Sequence, residues 1–491
     1  MTTSPRFRHT GTALAHPLAR STWHDAFIVR PADAIFTTAI KVGIAATVVL
    51  IAGGLLGQPQ LAGMAALGAL TSAFGRYQPY RRLGRMMAIV GAGMVIAMVI
   101  GTFLGAAAVP MMIQIVVLSV LAGLAAHIFL AFRISGPGAV ILVFAAGAGS
   151  GYAHSYAGML WPIVAISIGV VVGWLAAMAP ALWVPLAPSR LAVARAISNI
   201  LRLEADDAGP LRTAAKASLR SARESVTVSA GTVRTSNSRS MRLHQNADQL
   251  HLLLDEAEAA LALFESSSDD SYSEAFGRLA QHESELRKIH GIPTVSAPIT
   301  PAVPAADSTK HLVPKGFVDA AKAELTARAS IHQALRMAAA AALSGWAAVG
   351  LGLEHPLWAA MGAIAALQGL SYATTVQRSI QRLVGNVLGA IVAVGILSLA
   401  LGFWPSVVLV IIFQVLAELL VLKNYTLTTI AVTPMALIMT GLGTNLGPDA
   451  ALSRVADTLV GVVIGTIVAA VSISHSDRQH IPAGTTSSKQ S

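Results

Sequence analysis

From Ala34 to Leu182 the chain runs for 149 residues without one aspartate or glutamate, and only six basic residues interrupt it. A water-soluble surface needs charge, about a quarter of all residues in an ordinary domain. A stretch this long and this poor in charge must therefore meet lipid. A second block, residues 331–473, has the same character, and the whole chain is 54% hydrophobic and 12% charged. Most of the charge lies in residues 1–33 and 183–330. The middle segment holds 17 basic and 17 acidic residues, so the net charge of +10 comes mainly from the apolar blocks and the N-terminus.

The basic residues stand at the ends of apolar runs and form no patch with aromatics. That placement points to orientation in a membrane and to lipids as partners, and excludes nucleic acid. With no cysteine, disulfides, thiolate metal ligands and cysteine nucleophiles are excluded as well. The first apolar run is about one membrane span long and lacks a small-residue cleavage site before a polar start, so it reads as an uncleaved first helix.

A helix needs about 20 mainly apolar residues to cross a bilayer core. Turn signals divide the first block into runs at 34–56, 59–75, 86–108, 110–131, 136–152 and 160–182. The second divides into 331–352, 355–373, 382–401, 404–422, 426–443 and 453–473. The expected fold is an all-α polytopic membrane protein of about twelve transmembrane helices. One alternate set of loops holds the N-terminus, the cluster "RYQPYRRLGR" (76–85), Arg133, the middle segment, Arg378 with Arg382, Lys423 and the tail from residue 474. The other set ("GQPQ", "AAAVP", "SGYAHSYAG", "GLEHP", "GFWP" and "TNLGPDA") holds no Lys or Arg. Both termini and the middle segment are therefore expected in the cytoplasm.

The two blocks also resemble each other. A shift of 297 residues lays 59–105 on 356–402 without a gap, with 12 of 47 positions identical. Pro59 falls on Pro356, Arg81 on Arg378 and Arg85 on Arg382. With small further shifts, Arg133 corresponds to Lys423, and Gly169 with Gly173 to Gly461 with Gly465. Two six-helix units that both start inside are parallel repeats about an axis along the membrane normal. Arg76 and Arg82 have no counterpart in the second half and are expected to hold their loop against anionic headgroups.

Two signatures in the second half carry a family resemblance. One is an arginine pair leading into a glycine-rich span, "RSIQRLVGNVLGA"; the other is the closing helix "RVADTLVGVVIG". With six spans, a helical segment and six more spans, the chain resembles the fusaric acid resistance / aromatic acid exporter family. The first half departs from the second signature, having Pro162 and Ala165 where Arg454 and Asp457 stand. The resemblance implies a bacterial inner-membrane protein that exports small aromatic or other organic anions, driven by the proton gradient.

The middle is read as helices over 189–230 and 239–290, interrupted by a Ser/Asp stretch at 266–273 and followed by a Pro-rich linker at 291–308. "MRLHQNADQLHLLLDEAEAALALFE" repeats its apolar residues at spacings of three and four, so it is amphipathic. A helical bundle that joins the halves or mediates self-association into a homo-oligomer accounts for that pattern.

Charge within a span costs about 2.5–3.5 kcal/mol at the helix centre, so each case needs a reason. Glu418 in the tenth span and His127 at the matching place in the fourth are candidates for a proton relay. The alternatives are a Glu418 pair with Lys423 and a His127 bonded between helices. Arg454 and Asp457, at i and i+3, share one helix face. That guanidinium can hold a carboxylate substrate bidentately, or the two can pin the helix by a salt bridge. Lys41 can attract an anion or snorkel to the inner face. Interrupted spans in matching places tend to line a transporter's pathway. Here those are "SGPG" (135–138) and the span with Pro434, where Thr433, Thr428, Thr429 and Tyr425 offer hydroxyls. Gln114, Gln368, Asn386 and Gln414 are uncharged pore or packing candidates. The matched pairs Arg81/Arg85 and Arg378/Arg382 are candidate attractors at an inner mouth.

No Walker, HExxH or GxSxG motif is present, and His154, His332 and His355 have no metal-ligand spacing. No cofactor, metal or enzymatic activity is expected. An anion channel and a non-transporting membrane scaffold stay open beside the exporter.

Overall fold

The computed structural model describes residues 17, 19–29, 36–204, 209–231, 238–266, 272–288, 292–294, 317–369, 371–443 and 447–472. Among them are eighteen α-helices and no strand. Except for 292–294, the linker expected at 291–308 lies outside the described residues, as does the tail from 474.

The N-terminal helix α1 (Arg20–Phe27) precedes the helices of the first block: α2 (Phe36–Leu55), α3 (Pro59–Ala69), α4 (Tyr80–Ala106), α5 (Met111–Ala131), α6 (Val140–Tyr152) and α7 (Leu160–Met178). The middle holds α8 (Ala187–Leu201), α9 (Gly209–Ala230), α10 (Ser238–Ser266), α11 (Ser273–Arg287) and α12 (Phe317–Leu325). The second block holds α13 (Arg328–Gly350), α14 (Pro356–Ala366), α15 (Tyr372–Ser398), α16 (Phe403–Leu420), α17 (Tyr425–Thr440) and α18 (Asp449–Val471).

Each of the twelve apolar runs contains a helix, but seven are long and apolar enough to cross a membrane: α2, α4, α5, the Tyr156–Leu182 run built on α7, α15, α16 and α18. Helices α3 and α14 have only 11 residues each, and both begin at a proline after an interrupted chain. Helices α6 and α17 are also short. Helix α13 has 23 residues, but Gln333, Arg336 and a run of alanines keep its hydropathy low.

By packing, the chain divides into two compact units. The first contains α1 and both apolar blocks, apart from Gly75–Met86 and residues 178–182. Helix α2 shows why its sequence suits lipid: Phe36, Ile40, Ile44, Val48, Ile51 and Leu55 are exposed at helical spacing, whereas the smaller Ala39, Val42, Ala45, Ala46 and Val49 are buried. Large residues outside and small ones inside let helices approach closely, as membrane packing requires. The glycines of the closing helices take this furthest. A methyl on Gly461 would lie 2.2 Å from the Ala359 carbonyl oxygen of α14, and one on Gly169 would lie 1.9 Å from the Ala65 carbonyl of α3.

Helix α1 belongs to this unit through its C-terminal carbonyls, which no later turn can satisfy. Gln377 donates to Asp25 O at 2.9 Å, Gln381 to Ala26 O at 2.7 Å, and Asn424 to Ala26 O at 3.0 Å. The same Asn424 caps α17, its Oδ1 accepting from Thr426 N at 2.7 Å.

The second unit comprises Gly75–Met86 and Met178–Asp319. The helix expected over 189–230 is two helices, because Pro210 is tolerated only in a first turn and α9 begins there. The core is built from Val193, Ile197, Leu219, Leu250, Leu254, Phe276 and Leu279. Outside it, Arg223 bridges to Asp255 at 2.8 Å and Glu258 at 2.9 Å. Burial opposes the Arg223 charge, but its bond to Asp255 and the two carboxylates outweigh that and hold the guanidinium above its ordinary value. Residues 76–85, read from sequence as a loop, belong to this unit, and from Tyr80 on they form the first turns of α4. Arg82, expected at lipid headgroups, instead pairs with Glu224 at 3.1 Å, and Arg195 lies 3.1 Å over the Tyr77 ring.

Candidate functional site: a guanidinium cluster

Helix α15 starts at a capping box, where Ser371 and Thr374 bond each other's backbone N–H groups. That start sets Arg378 and Arg382 one turn apart on one helix face. Both meet Tyr425, the first residue of α17. Arg378 lies 4.5 Å over the ring, and Arg382 donates to the phenol oxygen at 3.1 Å. Arg378 also donates to Gln368 Oε1 at 3.3 Å, while Gln368 donates through Nε2 to Pro137 O at 2.9 Å. The "SGPG" interruption of the first block is thus tied to an arginine of the second.

Arg454 of α18 approaches the same place, near enough that its charge and that of Arg382 act on each other. It is 8% exposed and lies 4.9 Å over Trp358 of α14. His355 stacks on that ring at 4.3 Å and shares a 3.2 Å hydrogen bond with Ser453. Ser453 donates to Asp457 Oδ2 at 3.4 Å, and Asp457 is wholly buried. Among the described residues, the Nε groups of Arg378, Arg382 and Arg454 and the Oδ1 of Asp457 are buried without a hydrogen-bond partner. Unsatisfied donors on permanent cations are costly in an apolar fold unless a ligand meets them.

A neutral hub lies beside the cations. Asn386 of α15 donates to Thr458 of α18 at 2.6 Å and accepts from Thr433 of α17. The glycines of "RLVGNVLGA" allow this: methyls on Gly385 and Gly389 would come within 2.8 Å of Thr426 O and 3.0 Å of Ile430 O. Proline has no N–H, so Pro434 leaves the Ile430 carbonyl free of its usual helical partner. The backbone at Gly389 approaches that freed carbonyl.

Of the residues singled out from sequence, Arg378, Arg382, Arg454, Asp457, Thr433 and Pro434 come together here. Glu418 and Gln414 do not; each is 5% exposed on α16. The charge acting on Lys41 of α2 is that of Glu418. Those helices touch one turn away, where a methyl on Gly43 would lie 2.8 Å from Val415. Lys423 is exposed. His127 Nδ1 bonds Ser330 Oγ at 2.8 Å, joining α5 to α13. Arg81 and Arg85 are exposed in the other unit, unlike the half-buried pair they match. Sequence reasoning missed Trp358 and Ser453, and also Arg336, which bonds Gln333 beside Leu367. Arg336 is itself a charge within the second apolar block, whereas Trp358 and Ser453 carry none.

Residues 339–468 match the family model described as fusaric acid resistance protein-like. Over 125 residues the chain is 31% identical to an uncharacterized membrane protein, YvaC, of Bacillus subtilis (strain 168), which covers 24% of this chain and 19% of that protein. The chain thus spans about a fifth of the length of the curated relative it matches. No solved structure matches. Arg378, Arg382, Arg454 and Asp457 all fall within the matched residues, so it is the second block of this multi-pass membrane protein that is similar to the fusaric acid resistance protein-like family.

Proposed function

We propose that the chain exports small aromatic or other organic acids across a bacterial inner membrane, and that the guanidinium cluster binds the acid. The observation that carries this reading is the approach of Arg378 and Arg382 to Tyr425, with Arg454 and the wholly buried carboxylate Asp457 on the packed helix α18. Three fixed cations and one carboxylate leave negative charge to be supplied, and a carboxylate substrate supplies it bidentately. Trp358 and Tyr425 offer ring faces beside the charge. Asp457 compensates the cations when no substrate is present. Glu418, buried and set against Lys41, is the proton-exchanging group, with His127 as the second candidate.

The topology proposed with this function has both termini and the helical middle in the cytoplasm. It consists of two parallel six-helix repeats, the shorter helices lying within the bundle. Matching contacts support the repeat: Gly169 and Gly173 pack on α3, as Gly461 and Gly465 pack on α14.

The test is growth of cells making the chain under challenge with weak aromatic acids such as benzoate and 4-hydroxybenzoate, with cytosolic pH followed in parallel. Protection that accompanies proton entry, and that Arg382→Ala abolishes, is the expected result. Protection with voltage-driven current and no proton movement would identify a channel. No protection against any acid tested sinks the export reading.

A further inference from the structure

Helix α1 presents three strips built from residues four apart. Thr22 and Ala26 are buried on the side that packs on α15. Trp23 and Phe27 form the next strip, their ring centroids 6.2 Å apart, and Ile28 and Val29 extend it past the end of the helix. These four large apolar side chains are 40% to 58% exposed. The third strip is polar and exposed: Arg20 with His24, and Ser21 with Asp25. The indole N–H of Trp23 donates to Pro17 O at 2.9 Å, so it needs no partner in water. A short helix with a docked strip, an aromatic strip and a polar strip has the make-up of one lying in a membrane interface.

The place of α1 in the fold suits that surrounding. Gln377 and Gln381, which hold its last carbonyls, stand within the first turns of α15, about 8 and 14 Å along its axis. Helix α15 has 27 residues and is about 40 Å long, so it outruns a hydrocarbon core of about 30 Å and its first turns stand at a membrane boundary. We propose that α1 lies in that boundary, with Trp23, Phe27, Ile28 and Val29 among the upper acyl carbons and the polar strip toward the headgroups. Residues 1–33 hold four arginines against two aspartates, a balance that an anionic leaflet attracts. A second copy of the chain is a poorer occupant. Even at about 250 Å² for each whole side chain, the exposed parts of these four fall short of the about 800 Å² per partner that a stable protein interface buries.

The proposal goes beyond the export reading and takes from the proposed topology only that this boundary is the cytoplasmic one. The chain has no cysteine, so a thiol-directed spin label attaches only where one is introduced. The experiment is power-saturation electron paramagnetic resonance on the full-length chain in nanodiscs of phosphatidylethanolamine and phosphatidylglycerol. Single labels are placed at Ser21→Cys, Asp25→Cys, Phe27→Cys and Val29→Cys, all exposed positions, so no label has to enter the core. Oxygen, which concentrates in lipid, should relax the labels at positions 27 and 29 more than a water-soluble nickel chelate does, at a depth of about 5–10 Å. Labels at positions 21 and 25 should show the reverse preference. A preference for the nickel chelate at all four positions overturns the proposal. Immobilised labels at 27 and 29 that neither reagent reaches would identify a protein partner on the aromatic strip, a second copy included, and overturn it as well. Neither result bears on protection against weak acids, which the growth assay decides separately.

Discussion

Replacing Gly461 by alanine tests whether the glycine spacing of the closing helix exists for packing. The added methyl would lie 2.2 Å from the Ala359 carbonyl oxygen and 3.0 Å from the Ala363 nitrogen, both of them backbone atoms that no rotamer change can move. Restoring an ordinary contact distance requires α14 and α18 to part by about 1 Å, an overpacking strain of about 1–3 kcal/mol or somewhat more. Gly465, one turn later on the same helix, is an internal control. A methyl there would meet Ala363 at 3.3 Å, a contact that a shift of a few tenths of an ångström relieves. Gly395 of α15 has nothing within 4 Å, and alanine there should cost nothing or add up to about 1 kcal/mol through helix propensity. The assay is thermal denaturation of the full-length chain in detergent, followed by loss of the monodisperse peak on size exclusion. The expected order of stability is Gly395→Ala at or above wild type, Gly465→Ala slightly below, and Gly461→Ala well below. A Gly461→Ala chain as stable as wild type would refute the close crossing of α14 and α18.

Other outcomes follow from the same contacts. Asn386→Ala removes both arms of the hub and leaves buried hydroxyls on Thr433 and Thr458, so unfolding should be easier by about 1–3 kcal/mol in the same assay. Tyr425→Phe keeps the ring under Arg378 but takes the oxygen from Arg382; acid protection should fall less than in Arg382→Ala, and equal loss would argue against a separate role for the ring. Glu418→Gln leaves Lys41 without its opposing charge. The single variant should lose proton-coupled protection and stability together, and adding Lys41→Met should restore stability alone, as measured by denaturation beside the growth assay.

Much of this was visible in the sequence, for one physical reason: charge in an apolar block is expensive, so the few charges there mark a purpose. Arg454 and Asp457 stand out on that ground alone, whereas Arg378 and Arg382 stand out as the pair that recurs between the two blocks. Their meeting does not, because it depends on how α14, α15, α17 and α18 cross, and spacing along one helix says nothing of its neighbours. Lys41 and Glu418 illustrate the same limit. Sequence spacing points each to the nearest interface or to Lys423, yet their two helices pack together at Gly43 and Val415 and the charge of Glu418 acts on Lys41. The alignment of Arg81/Arg85 with Arg378/Arg382 pairs residues in different surroundings: one pair is exposed, the other half-buried against Tyr425. Arg82 reads as a lipid contact because it has no counterpart in the second half; its partner Glu224 lies far along the chain.

The Asn386 hub also has a mechanical consequence. One amide holds a hydroxyl of α17 and a hydroxyl of α18 at once, while Gly385 and Gly389 lock the backbones of α15 and α17 together. Sliding any one of these three helices past the others would break bonds that no water in the bilayer can replace. They therefore travel as a single block, carrying Arg382, Tyr425 and Arg454 with their mutual geometry unchanged. If the site opens alternately to the two sides, the hinge and the moving seam must lie at the block's edges, where it meets helices outside the triad.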